Sequence, residues 1–141
     1  MNNLIYLVVA SLLSSAVQAA LDQSKYNPKL QELAKNLHST CISKSGTDQD
    51  SINKVVNGEF VDEPKIKVYM RCLLTESGVV TEKGLNIDIA SELLTPEIKD
   101  ESIANANFCV EKIKDITDVH ERAFIYFKCY HNKNPDLFIF F

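Results

Sequence analysis

The chain has 141 residues, a formal net charge of −4 and a pI near 5.3, so it lacks the basic excess needed to neutralise a phosphate backbone. Nucleic acid is excluded as a partner on that ground. Acidic and basic residues are interspersed as on an ordinary solvated surface, and no internal repeat or low-complexity stretch occurs.

The first element reads as a targeting segment. An uncharged apolar run, Leu4 to Leu13, leads through small residues to Val17-Gln18-Ala19, the pattern of signal-peptidase cleavage after Ala19. The run is too short to span a bilayer, and no second apolar stretch of about 18 residues follows it. The expectation is a signal peptide over 1–19 and a single secreted domain over 20–141, without stable membrane insertion. That length is enough to bury a core of its own. No Asn-x-Ser/Thr sequon is present, so N-glycosylation is not expected.

Helical signals then follow one another. "NPKLQELAKNLHSTC" offers Asn27 as N-cap and Pro28 as first helical residue, with Leu30, Leu33, Ala34, Leu37 and Cys41 on one stripe. "TDQDSINKVVNG" opens on Thr47 with Asp50 three residues on, resembling a capping box, and stops at Gly58. A third helix enters through Glu63-Pro64 and ends before Gly78, carrying Ile66, Tyr69, Met70, Leu73 and Leu74. After Val79-Val80 comes the shorter "NIDIASELL", closed by Thr95-Pro96, which also caps and starts a fifth helix reaching about Ile116. Asp118 with Glu121 begins a sixth, to about Tyr130. No alternating strand pattern of useful length appears, except in the tail "DLFIFF". The fold class is therefore all-α, a six-helix domain. Residues 135–141 form an apolar tail that must dock on the domain, either as a last edge of core or as a lid over a cavity.

Four cysteines, Cys41, Cys72, Cys109 and Cys129, lie in the mature part, an even number that in an oxidising compartment favours two disulfides with three connectivities open. A zinc site would need close ligand pairs such as C-x-x-C, and none occurs, so no metal or cofactor is expected. The cysteine intervals hold 30, 36 and 19 residues. With the helix order and the signal segment, this spacing resembles the insect odorant-binding protein family. That family's pattern has six cysteines, with three residues between the second and third and eight between the fifth and sixth. Here Val68 and His120 occupy the second and fifth places. In the family these two pair with each other, so both vacancies belong to one bridge and no thiol is left unpaired. "HERAFIYFKCY" is likewise similar to the family's last helix.

The resemblance implies a four-cysteine, or minus-C, member with bridges Cys41–Cys72 and Cys109–Cys129 and a helical domain enclosing an apolar cavity. It further implies an extracellular carrier of small hydrophobic ligands such as volatile odorants, pheromones or fatty acid-like molecules. An encounter with an olfactory receptor or a homodimer is compatible with it. Matching family positions puts Leu33, Leu37, Met70, Leu74, Val79, Val80, Leu94, Ile103, Ala106, Tyr126 and Tyr130 in the ligand wall, with Phe138 and Phe140 as lid residues. Each also reads as plain core. The other reading of the chain is a haemolymph, salivary or seminal protein that binds lipids or another protein through the same fold.

Catalysis is not expected. His38, His120 and His131 lie in no recognisable catalytic motif, and the cysteines are oxidised on this reading. His120 reads as a partly buried side chain filling the space of the absent bridge. If buried and neutral, it would make ligand binding sensitive to acid.

Overall fold

The structure is a computed structural model that describes residues 19–141. The secretory segment read over 1–19 lies, apart from Ala19, outside them. Six helices follow in chain order: α1 Pro28–Ser45, α2 Gln49–Val56, α3 Pro64–Ser77, α4 Ile87–Leu93, α5 Pro96–Ile113 and α6 Val119–Lys133. Short 3-10 turns at Gln23–Lys25 and Pro135–Leu137 bracket the set.

The helix starts follow local side-chain chemistry. Each first turn leaves backbone N–H groups without an intrahelical partner, and at α1, α2, α4 and α6 a short polar side chain accepts from them, whereas Glu63 and Thr95 before α3 and α5 make no such bond and Pro64 and Pro96 start those helices. Asn27 Oδ1 accepts from Leu30 N–H at 2.8 Å, and Asp118 Oδ1 accepts from His120 and Glu121 N–H at 2.9 Å each. The start of α2 departs from expectation. Asp48, not Thr47, is its cap, accepting from Ser51 N–H at 2.7 Å, while Thr47 is buried one residue earlier. Gly46 and Gly78 end α1 and α3 in the left-handed conformation, at φ of 66° and 70°, which glycine adopts without steric cost. α5 ends at Ile113, short of the expected Ile116, which instead closes a turn by donating its N–H to Ile113 C=O at 3.0 Å.

One element escapes the sequence reading. Val80–Thr81 (β1) and Gly84–Leu85 (β2) pair antiparallel as a two-residue hairpin, too short to show alternation.

The core forms where α1, α5 and α6 pack around α3 and each other. Tyr69, Ile66, Met70, Ile52 and Val55 are completely or almost completely shielded. Two disulfides tie these helices, Cys41–Cys72 joining α1 to α3 and Cys109–Cys129 joining α5 to α6, with Cα atoms 5.6 and 5.7 Å apart. Each closes a loop of about 20 to 30 residues and stabilises by roughly 3 kcal/mol on the chain-entropy account.

The two places where a third bridge would sit are now visible. Val68 is half-buried on α3 and His120 is exposed on α6, so His120 does not fill a buried space, and the premise of an acid-sensitive buried histidine there is withdrawn. Their immediate neighbours make the cross-link instead. Lys67 Nζ lies 2.5 Å from Glu121 Oε2 and 2.6 Å from Asp62 Oδ1, and sits 4.9 Å from the centre of the Phe124 ring. Hydrogen bonds to Asp62 and Glu121 hold the ammonium above the usual lysine range. A solvent-accessible pair of this kind contributes about 1 kcal/mol or less, so it replaces the connection of the bridge but not its full stabilisation.

The tail does not form a strand. It runs extended into the core, with Leu21 N–H donating to Phe138 C=O at 2.7 Å. Phe138 and Phe140 are shielded and stacked, ring centres 5.8 Å apart and planes within 8°. Around them stand Phe60, Phe127, Tyr130 and His131. The Tyr69 hydroxyl donates to the main-chain oxygen of Phe141. Having spent its one proton there, it must accept from His38 Nδ1 at 3.1 Å, which assigns the Nδ1–H tautomer to His38.

Candidate functional site

Between these elements lies a cavity of about 110 Å³. α1 contributes Leu30, Leu33 and Leu37 to its wall, and α3 contributes Leu73, Leu74 and Ser77. Val79 enters from the segment before the hairpin, and Ala90, Leu93 and Leu94 come from α4 and its end. α5 supplies Ser102, Ile103 and Ala106, α6 supplies Tyr126, Phe127 and Tyr130, and the tail supplies Ile139 and Phe141. Helical spacing explains the sets. Leu30, Leu33 and Leu37, like Ser102 and Ala106, recur at three or four residues and so share a helix face.

Nine of the residues expected in the wall are in it: Leu33, Leu37, Leu74, Val79, Leu94, Ile103, Ala106, Tyr126 and Tyr130. Four lie elsewhere. Met70 is on the Leu74 stripe but one turn nearer the start of α3, past the end of the cavity and fully inside the core. Val80 lines a separate pocket of about 340 Å³ with Arg71, Glu82 and Arg122, in which polar and charged side chains share the wall. Phe138 and Phe140, expected as lid residues, do not line the cavity. In the extended alternation of the tail they face the aromatic core, while Ile139 and Phe141 face the cavity. Leu30, Leu73 and Phe127 went unassigned although each belongs to the apolar face of its helix. Ser102 carried no sequence signal, being a polar residue on a helix rich in them.

None of the wall residues is charged. The polar side chains are few: Ser77 on α3, whose hydroxyl donates to Leu74 C=O at 3.1 Å, and Ser102, Tyr126 and Tyr130 on α5 and α6. Tyr126 and Tyr130 stack with ring centres 5.9 Å apart and planes within 12°. Burial holds the Tyr126 phenol well above the usual tyrosine range and pushes Tyr130 up to about 12, with Ser102 opposing the rise in Tyr130. Both are neutral donors at any physiological pH. Beside them Ser102 is 1% exposed. Its Oγ faces the Tyr130 hydroxyl without reaching the geometry of a hydrogen bond and has no partner in the structure.

The site is almost wholly apolar. It has no nucleophile with a base beside it, and among the described residues no three potential metal ligands come together. What it can do is take an apolar molecule out of water. A void of this size is close to the roughly 150 Å³ engineered cavity that stays dry and takes benzene. No helix among the described residues is long and apolar enough to cross a membrane.

The chain is similar to known proteins in sequence and in fold. The chain is 29% identical to the B1 protein of Tenebrio molitor over 129 residues, covering 90% of this chain and 93% of that protein. The B2 protein of the same beetle is 28% identical, also over 90% of this chain. Among solved structures, odorant binding protein 5 of Apis mellifera superposes with a TM-score of 0.65 at 19% identity, covering 86% of this chain and 98% of that one. An odorant binding protein of Locusta migratoria gives 0.63 at 26% identity, over 81% and 88%. The Apis likeness speaks for the fold alone. The sequence profile of the PBP/GOBP family matches residues 23–133, most of the described helical domain with all four cysteines and both bridges, and the chain therefore belongs to that family.

Proposed function

We propose that this protein is an extracellular carrier, not an enzyme, which binds small hydrophobic ligands in the cavity between α1, α3, α4, α5, α6 and the tail. The observation that carries the reading is a wall of aliphatic and aromatic side chains without one charge among them. Burying a ligand's hydrocarbon surface there supplies about 25 cal/mol per Å², so a molecule offering about 250 Å² gains roughly 6 kcal/mol before its loss of free motion is counted. Odorants, pheromones and similar semiochemicals fit in size and polarity. The titles of the Apis and Locusta structures support that choice of ligand, whereas the printed names of the Tenebrio relatives say nothing of odour. Two disulfides and the signal-like N-terminus support secretion into a body fluid.

The test is a titration of the oxidised protein with an environment-sensitive apolar fluorophore, competed by a panel of volatiles. The expected result is one saturable site per chain, lost in Ala106→Trp, which fills the cavity from α5. Binding that survives Ala106→Trp in a protein with wild-type helicity would place the ligand elsewhere, and no binding at all would overturn the carrier reading.

A further inference from the structure

Among the described residues, the wall hydroxyl that is completely shielded and finds no partner, that of Ser102, separates ligand classes. Ser102 Oγ is unpaired at 1% exposure, in the middle of α5 and one turn from Ala106, on the stripe that faces the cavity. A buried hydroxyl without a hydrogen bond is costly, and serine is a poorer helix former than alanine, so stability alone would put alanine there. Tyr26 and Thr47 also bury unpaired hydroxyls, but neither lines the cavity. Ser102 differs in standing in the cavity wall itself, beside Tyr130. The surrounding wall has no lysine, arginine or histidine to meet a negative charge, and the neighbouring Tyr126 and Tyr130 remain neutral.

Resting on the carrier reading, we infer that the cavity selects neutral ligands bearing one oxygen function, an alcohol, aldehyde, ketone or ester, whose oxygen bonds to Ser102 while the hydrocarbon fills the aliphatic end. Carboxylates are rejected. Bringing an ionised carboxylate into this wall would strip its hydration and offer at most neutral hydroxyls in exchange, a cost that no nearby cation offsets. The size of the void sets the scale of the hydrocarbon at about six non-hydrogen atoms, judged against the benzene-sized case.

The experiment uses a six-carbon series, hexane, 1-hexanol, hexanal and hexanoate, in competition with a cavity-bound fluorophore at pH 7.5, on the oxidised protein and on Ser102→Ala. That substitution removes one oxygen and no packing volume of consequence, and retention of fold is checked by thermal unfolding. Hexanol and hexanal are expected to bind at least tenfold more tightly than hexanoate. Ser102→Ala should weaken both by roughly three- to tenfold, the range of one hydrogen bond, while hexane binds as before or more tightly. Hexanoate binding as tightly as hexanol would overturn the proposal, as would a Ser102→Ala effect equal for hexane and hexanol. If hexane and the rest of the series all fail to bind, the carrier reading itself fails, and that outcome is distinct from both.

Discussion

The cavity has two unlike sides. On one, α1, α3 and α6 are joined by the Cys41–Cys72 bridge, the Lys67–Glu121 pair and an aromatic cluster into which Phe138 and Phe140 are pressed. On the other lies α4, seven residues long, with Ala90 as its one buried side chain and no disulfide. α4 is held to α1 by polar contacts at the surface: Asn27 Nδ2 donates to Glu92 C=O at 2.9 Å, and Lys29 meets Glu92 at 3.0 Å with both side chains about two-thirds exposed. Apolar burial and a covalent tie fix the first side, while the second depends on contacts that water can replace. A site of this build is braced by burial and a covalent tie on one wall and partly by exposed polar contacts on the other.

Substitutions can break that contrast, and the largest effect belongs to the fixed side. Phe138→Ala should cost about 3 to 5 kcal/mol in denaturant unfolding, since a completely shielded aromatic leaves a void, whereas Leu93→Ala on half-buried α4 should cost about 1 kcal/mol. Equal costs would mean that α4 is as integral as the tail. Next in size is Asn27→Ala, which removes the cap of α1 and the tie to Glu92 together, for about 1 kcal/mol. In hydrogen exchange it should speed the α4 amides more than those of α3, and an unchanged α4 would show that Ala90 and Leu93 hold the helix without help.

The smallest effect is one of pH. Backbone N–H donors at the helix starts hold the Asp48 and Asp118 carboxyls below their ordinary value of 3.8. A depressed folded value means that their contribution is complete above about pH 4 and is lost as pH falls through the folded values. Asp48→Asn and Asp118→Asn, which keep the caps, should flatten the acid limb of the stability curve slightly, and an unaltered limb would remove these caps from the account.

The helices were legible because their ends carry chemistry that acts over three residues: Asn27 with Pro28, Asp118 with Glu121, and Gly78 after the third. The hairpin was not, because two-residue strands have no period to detect. Bridge connectivity came from family resemblance and not from residue chemistry, which left three pairings open. The wall was read well on helices, where one stripe defines one face, and poorly where the chain is extended. There a position shifted by one residue changes sides, which is why Phe138 and Phe140 were misplaced and Ile139 and Phe141 overlooked. Ser102 was hidden for another reason. Its significance lies in having no partner, which becomes visible when every neighbour has a place.

The alternation of the tail gives its last four residues two different surroundings. Phe138 and Phe140 answer to folding, and Ile139 and Phe141 answer to whatever the cavity holds. A change at an odd position therefore alters the cavity wall directly, whereas a change at an even one disturbs the aromatic core first. The same arrangement makes length more dangerous than identity. Loss or gain of a single residue after α6 would exchange the two sets, presenting the cavity with the side chains meant for the core.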